Sequence, residues 1–229
     1  MSIATVLEAS VRAEYSARLV HPPTRGEHIQ VLGLTASGKT TAIKAFVNRF
    51  PYWKHVYDSA FLETARLRTY HEQLLIQGDP YFYLAFQIEA LLIRFLQNAH
   101  VARGSICDQS AHSIWAYSKV LVQRGYLSRS FYETFFAAYL TFRSVAPSPA
   151  TVVLFTCDPS IARARVVARG RSHEQEAYTP QFLTQLGQAY SAVVDDFPQD
   201  VPLHTIDTTE MTPDEATAAL ETILNAQKN

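Results

Sequence analysis

Short apolar runs alternate along this chain with longer stretches in which apolar residues recur every three to four positions. That is the signature of strands covered on both faces and of the helices that cover them. The runs at 28–33, 54–58, 104–108, 151–156 and 202–207 predict five strands, three of which end in aspartate. Helical periodicity predicts helices over 38–49, 60–77, 81–98, 110–123, 128–143, 159–168, 180–196 and 213–225. Thr179-Pro180 and Thr212-Pro213 each place a hydroxyl cap before a proline suited to the first helical position. Glu215 completes a capping box with Thr212. Ile3, Val6, Leu7 and Val11 give an amphipathic helix ahead of the first strand, so residues 1–25 read as a helical extension.

Strands alternating with one or two helices predict an α/β fold, a five-stranded parallel sheet flanked by helices. The 229 residues suit one domain spanning 1–229. A formal charge of −1 leaves no excess of positive charge to hold a polyanion or an anionic membrane, so small ligands are expected and nucleic acid is not. The most apolar stretch, 81–96, is interrupted by Gln87, Glu89 and Arg94 and falls short of the roughly 20 apolar residues of a bilayer span. Cys107 and Cys157 show neither a disulfide framework nor metal-ligand spacing. Glu8 and Glu14 in the first helical stretch do not fit a signal peptide, and a cytoplasmic protein is expected.

The chemistry concentrates at the first strand's end, where the chain reads Gly33-Leu34-Thr35-Ala36-Ser37-Gly38-Lys39-Thr40. The spacing Gly-x-x-x-x-Gly-Lys-Thr between strand and helix makes a P-loop: the glycines let successive N–H groups turn inward around phosphate, and the helix N-terminus adds its dipole. Gly33, Thr35, Ala36, Ser37, Gly38, Lys39, Thr40 and Thr41 are therefore candidates to bind the phosphates of ATP. Lys39 would bridge the terminal phosphates, and Thr40 would ligate Mg²⁺. Asp108, at the third strand's end, is placed to hold the same metal or, alternatively, to cap the helix that follows. Arg163, Arg165, Arg169 and Arg171 crowd one helix end, with Arg165 and Arg169 on one face and Arg171 beyond Gly170, where the helix can break into a mobile loop.

Two segments resemble the deoxyribonucleoside kinase family, of the deoxycytidine, deoxyguanosine and deoxyadenosine kinase type. One is Arg165-Val-Val-Ala-Arg169-Gly170-Arg171 with Glu174 close behind, and the other is Tyr83-Leu84-Ala85-Phe86-Gln87-Ile88-Glu89. The resemblance implies a three-layer P-loop kinase with an arginine-rich lid over 159–178, transferring phosphoryl from ATP to a nucleoside 5′-hydroxyl with Mg²⁺. It implies that Gln87 meets the nucleobase and Glu174 the sugar 3′-hydroxyl, and that Arg165, Arg169 and Arg171 clamp phosphates, with Arg165 and Lys39 serving catalysis. Asp58 stands where the family has its glutamate general base, with Glu63 as the fallback. Gln109 replaces the arginine after the strand-end acid and keeps a hydrogen-bonding role toward the nucleoside, but carries no charge. Ile114 replaces the family's acidic base-reading residue, leaving a pyrimidine as plausible as a purine. The aromatics Tyr81, Phe82, Tyr83 and Phe86, and Tyr132, Phe135, Phe136 and Tyr139, suit core packing first and a homodimer interface second. Two alternatives stay open: a nucleoside monophosphate kinase of the thymidylate kinase kind, and a nucleotide-binding regulatory subunit without turnover.

Overall fold

Five parallel strands form the middle layer: β1 (Ile29–Gly33), β2 (Lys54–Val56), β3 (Ser105–Asp108), β4 (Thr151–Thr156) and β5 (Leu203–Asp207), in the order β2-β3-β1-β4-β5. The computed structural model describes residues 7–9, 11–12, 26–56, 80–99, 101 and 103–226. The helices are α1 (Lys39–Arg49), α2 (Pro80–Ala99), α3 (Ala111–Gln123), α4 (Arg129–Val145), α5 (Pro159–Arg169), α6 (Ser172–Ala177), α7 (Pro180–Val193) and α8 (Pro213–Ala226). The predicted helix over 60–77, with Asp58 and Glu63, lies outside the described residues.

Alternation along the strands sorts the core into two. Ile29, Val31, Val153 and Phe155 face Ala42, Ile43 and Phe46 of α1 and Ala216, Leu220 and Leu224 of α8. Leu32, Val152 and Leu154 belong to a second cluster with Ala90 and Leu91 of α2, Trp115 and Val120 of α3, Phe135 and Phe136 of α4, and Leu183 and Leu186 of α7. A fully buried side chain such as Phe46 or Leu32 contributes about 1.5–3 kcal/mol. The aromatics Tyr132, Phe135, Phe136 and Tyr139 of α4 are all fully buried in this second cluster, so they serve the core and not a subunit surface.

Local signals set the ends. Thr179 accepts from the Phe182 amide, and Thr212 with Glu215 forms the predicted capping box. Ser110, not Asp108, caps α3 by accepting from His112, which leaves the aspartate for other work. Two elements depart from expectation. The helix predicted to 196 ends at Val193 in a 3₁₀ turn, Val194–Asp196, and the loop expected after Gly170 is a six-residue helix, α6.

Residues 7–9 and 11–12 are helical, and Leu7 joins the second core. The buried Glu8 carboxylate accepts from Lys119 Nζ at 2.7 and 2.9 Å, from Trp115 Nε1 at 3.1 Å and from the Tyr132 hydroxyl. Arg12 donates to Asp196 at 2.5 Å, and Asp196 also accepts from Tyr139 at 2.7 Å. No helix among the described residues is long and apolar enough to cross a membrane.

Candidate active site

The carboxyl ends of β1 and β3 lie side by side, yet the helix after β1 packs on one face of the sheet and the helix after β3 on the other. A crevice opens where successive connections part in this way. Gly33 ends β1 with φ 136°, and an added Cβ there would sit 2.0 Å from the Phe155 carbonyl oxygen, because β1 and β4 pair Gly33 with Phe155. Ala36 and Gly38 also take positive φ, 62° and 87°. These turns curl the loop so that Ser37 N–H donates to Leu34 O at 3.2 Å, and α1 starts at Lys39 with no side chain capping its amides. Such a helix start offers unpaired N–H groups and a positive dipole end to an anion.

Lys39 Nζ lies inside the curl, donating to Gly33 O at 2.9 Å, Leu34 O at 2.7 Å and Ser37 Oγ at 3.4 Å. Burial pushes its ammonium down to about 8, opposed by Asp108 and assisted by the charge of Arg169. Thr40 Oγ1 donates to Asp108 Oδ2 at 2.5 Å, and His55 Nε2 lies 3.7 Å from the same oxygen. Burial alone would raise the Asp108 pKa, but His55, Lys39 and the Thr40 hydroxyl outweigh it and hold the carboxyl below its ordinary range. Asp108 Oδ1 is buried and has no hydrogen-bond partner among the described residues. An ionised carboxylate with one orphaned oxygen, touching the P-loop hydroxyl, is a donor set that fits a hard divalent cation.

Gln109 follows at φ 75°, its carbonyl held by Gln30 Nε2 at 2.9 Å. Its carboxamide oxygen accepts from Tyr190 at 3.1 Å and from Ser113. Arg94, on α2, is 1% exposed; burial lowers its pKa to about 10, while the negative charge of Asp108 raises it. Arg94 is thus a buried cation electrostatically coupled to Asp108. In the sequence Arg94 shows only as an interruption of an apolar helix.

The arginines do not all point to one task. Arg165 donates to the Thr208 hydroxyl at 3.2 Å and the Thr208 carbonyl at 2.8 Å. Arg169 and Arg171 converge on Glu174, at 3.2 and 2.7 Å. Arg163 donates to the carbonyls of Gln175 at 2.6 Å and Tyr178 at 3.3 Å, which together with Glu174 explains why 172–177 is helical instead of loose. Tyr178 lies 3.5 Å from Tyr117, whose hydroxyl meets Thr35 Oγ1 at 2.6 Å, so this segment reaches the P-loop through two tyrosines. Thr41 is exposed on the first turn of α1. Gln87 accepts from Ser118 at 3.2 Å in the α2–α3 interface. Tyr117, Tyr178, Tyr190, Thr208, His55 and Arg94 are the participants that sequence reasoning missed.

A curled loop at a strand end, a lysine within it, an acid across from its hydroxyl and arginines beside it define a P-loop phosphotransferase of the three-layer α/β type. A family model for deoxynucleoside kinases matches residues 29–229, and the chain belongs to that family. It is an enzyme that phosphorylates nucleosides with ATP. A deoxyadenosine kinase of Dictyostelium discoideum is 25% identical over 203 residues, covering 85% of this chain and 78% of that one. The deoxyadenosine kinase of M. mycoides shares the fold. Its structure with the products dCMP and a flexible dCDP gives a TM-score of 0.73 at 20% identity, over 87% of this chain and 98% of that one. Its dATP-bound structure gives 0.71 at 18% identity, over 86% and 99%.

Proposed function

We propose that the chain transfers the γ-phosphoryl group of ATP to the 5′-hydroxyl of a deoxyribonucleoside, in the cytoplasm, where ATP and free buried thiols such as Cys107 coexist. The observation that carries this reading is the Thr40–Asp108 contact beside Lys39, with Asp108 Oδ1 buried and unpaired. Thr40 and Asp108 would hold Mg²⁺, which when bound neutralises phosphate charge. The amides from Gly33 to Thr41 bind the polyphosphate, and Lys39 leaves its carbonyl contacts for phosphate oxygens. Arg165, Arg169 and Arg171 lie over the transferred group as the lid spanning 159–178; the influence of Arg169 at Lys39 supports that placement. Asp58 is assigned as the general base, with Glu63 the alternative, and Gln87, Gln109 and Glu174 as the nucleoside contacts. Glu174 would exchange an arginine for the sugar hydroxyl. Arg94 supplies positive charge near Asp108 that Gln109 does not. Leu92 and Leu96, 43% and 48% exposed on α2, are the face assigned to pairing in a homodimer.

The relatives named above suggest deoxyadenosine and deoxycytidine as the first acceptors to try. Purified protein with ATP and Mg²⁺ should phosphorylate at least one of the common deoxynucleosides at the 5′ position, and chelation should stop it. Turnover of nucleoside monophosphates but of no nucleoside would replace this reading with the monophosphate kinase one.

A further inference from the structure

Thr208 lies on the turn after β5, in no motif, yet it is 2% exposed. Its hydroxyl is 2.9 Å from the Ser37 carbonyl in the P-loop and 3.1 Å from the Thr156 carbonyl at the end of β4. The same oxygen accepts from Arg165 Nη1, while the Thr208 main-chain carbonyl accepts from Nη2. One hydroxyl therefore joins the loop, the sheet and an arginine of the proposed clamp.

We propose that Thr208 is a positioning residue for nucleotide binding, fixing both the crest of the phosphate loop and the Arg165 guanidinium; the idea rests on the P-loop reading of this site. The peptide unit after Ser37 is planar and trans, so its C=O and the Gly38 N–H point in opposite directions. Pinning the Ser37 carbonyl toward Thr208 therefore turns the Gly38 N–H the other way, toward the inside of the curl. The guanidinium, anchored through two nitrogens, loses its rotamer freedom before the ligand arrives, which lowers the entropic cost of closing on phosphate.

The test compares Thr208→Val, isosteric but without the hydroxyl, with Thr208→Ser, which keeps it, and with Arg165→Lys and the Val/Lys double variant. A non-hydrolysable ATP analogue is titrated into each full-length protein, and kcat and KM are measured for ATP and for nucleoside. Thr208→Val should weaken analogue binding about tenfold and raise the KM for ATP alike, with nucleoside KM unchanged. Thr208→Ser should stay within about twofold of wild type, and the double variant should be no weaker than the worse single one. Wild-type affinity in Thr208→Val, a Ser variant as weak as the Val one, or additive losses would overturn the proposal. Thr208→Ala serves as a second hydroxyl-free variant; if neither it nor Thr208→Val folds, the residue is structural and the proposal fails. A wild-type chain that binds the analogue but phosphorylates no nucleoside would remove the kinase reading while leaving this comparison decisive.

Discussion

Lys39 is held by three oxygens of its own loop while burial draws its pKa down to about 8, against about 10.4 for an ordinary lysine. Because the folded pKa lies below the unfolded one, the folded chain binds fewer protons between those values. The depression therefore costs stability below pH 8, and that cost fades as the pH rises from 8 toward about 10.4. Polyphosphate in the loop adds negative charge beside the ammonium and restores its pKa. Affinity for ATP should therefore fall above pH 8, by up to about tenfold per pH unit, with a proton taken up on binding. Calorimetric titration of an ATP analogue at pH 9, in two buffers of different ionisation heat, should give different apparent heats. Equal heats would show that the lysine is already charged before the nucleotide arrives. Gln109 makes a contrasting residue-scale point: where the family has a cation, this chain has an acceptor for the Tyr190 and Ser113 hydroxyls, and the charge proposed to stand in for it is that of Arg94, on another element, which is coupled to Asp108.

Elements were legible wherever the signal was local. The P-loop, the five strands and the proline-started helices each carry their pattern within a few consecutive residues, and the structure shows them with ends shifted by at most three residues. Helix α6 carried no such pattern: Ser172–Ala177 is short and polar, and it is held by Arg163 from α5 and by the Glu174 ion pairs. The same limit applied to the site. Thr208 meets Ser37 across 171 positions, Tyr117 meets Thr35 across 82 and Tyr190 meets Gln109 across 81, so only folding brings them together. The two glycines that the motif treats alike separate at this scale. An alanine methyl at Gly33 would collide with the Phe155 backbone and part β1 from β4, whereas at Gly38, φ 87°, no atom lies within 4 Å. Gly38→Ala costs only the left-handed strain of about 1–2 kcal/mol, but its methyl enters the space beside the loop amides. Gly33→Ala should lose its cooperative melt by circular dichroism, while Gly38→Ala should melt within a few degrees of wild type and lose ATP-analogue binding. Equal damage to folding in both variants would contradict the register assigned to β1 and β4.

Across the whole molecule, the helical residues 7–9 and 11–12 are tied by charge to the layer that carries the α3 side of the site. Glu8 and Lys119 are nearly buried, with side chains 10% and 7% exposed, and Trp115 and Tyr132 complete the carboxylate's shell. A buried pair of this kind adds little over a well-packed apolar pair, but removing one member strands the other charge at a cost of about 3–5 kcal/mol. Against a total stability of about 5–15 kcal/mol, Glu8→Ala should therefore bring the chain close to unfolding at 37 °C. The double variant Glu8→Leu with Lys119→Met should recover most of the loss, since the Trp115 indole keeps its 3.0 Å bond to the Tyr132 hydroxyl. Urea unfolding of Glu8→Ala and of the double variant measures this directly. Because α3 is capped by Ser110, two residues beyond Asp108, the brace reaches the site only through the helix it steadies. Well below the melting temperature the KM for ATP in Glu8→Ala should thus match wild type even as the urea midpoint drops. A loss under about 1 kcal/mol would mean that the segment is not docked on α3 and α4 in solution.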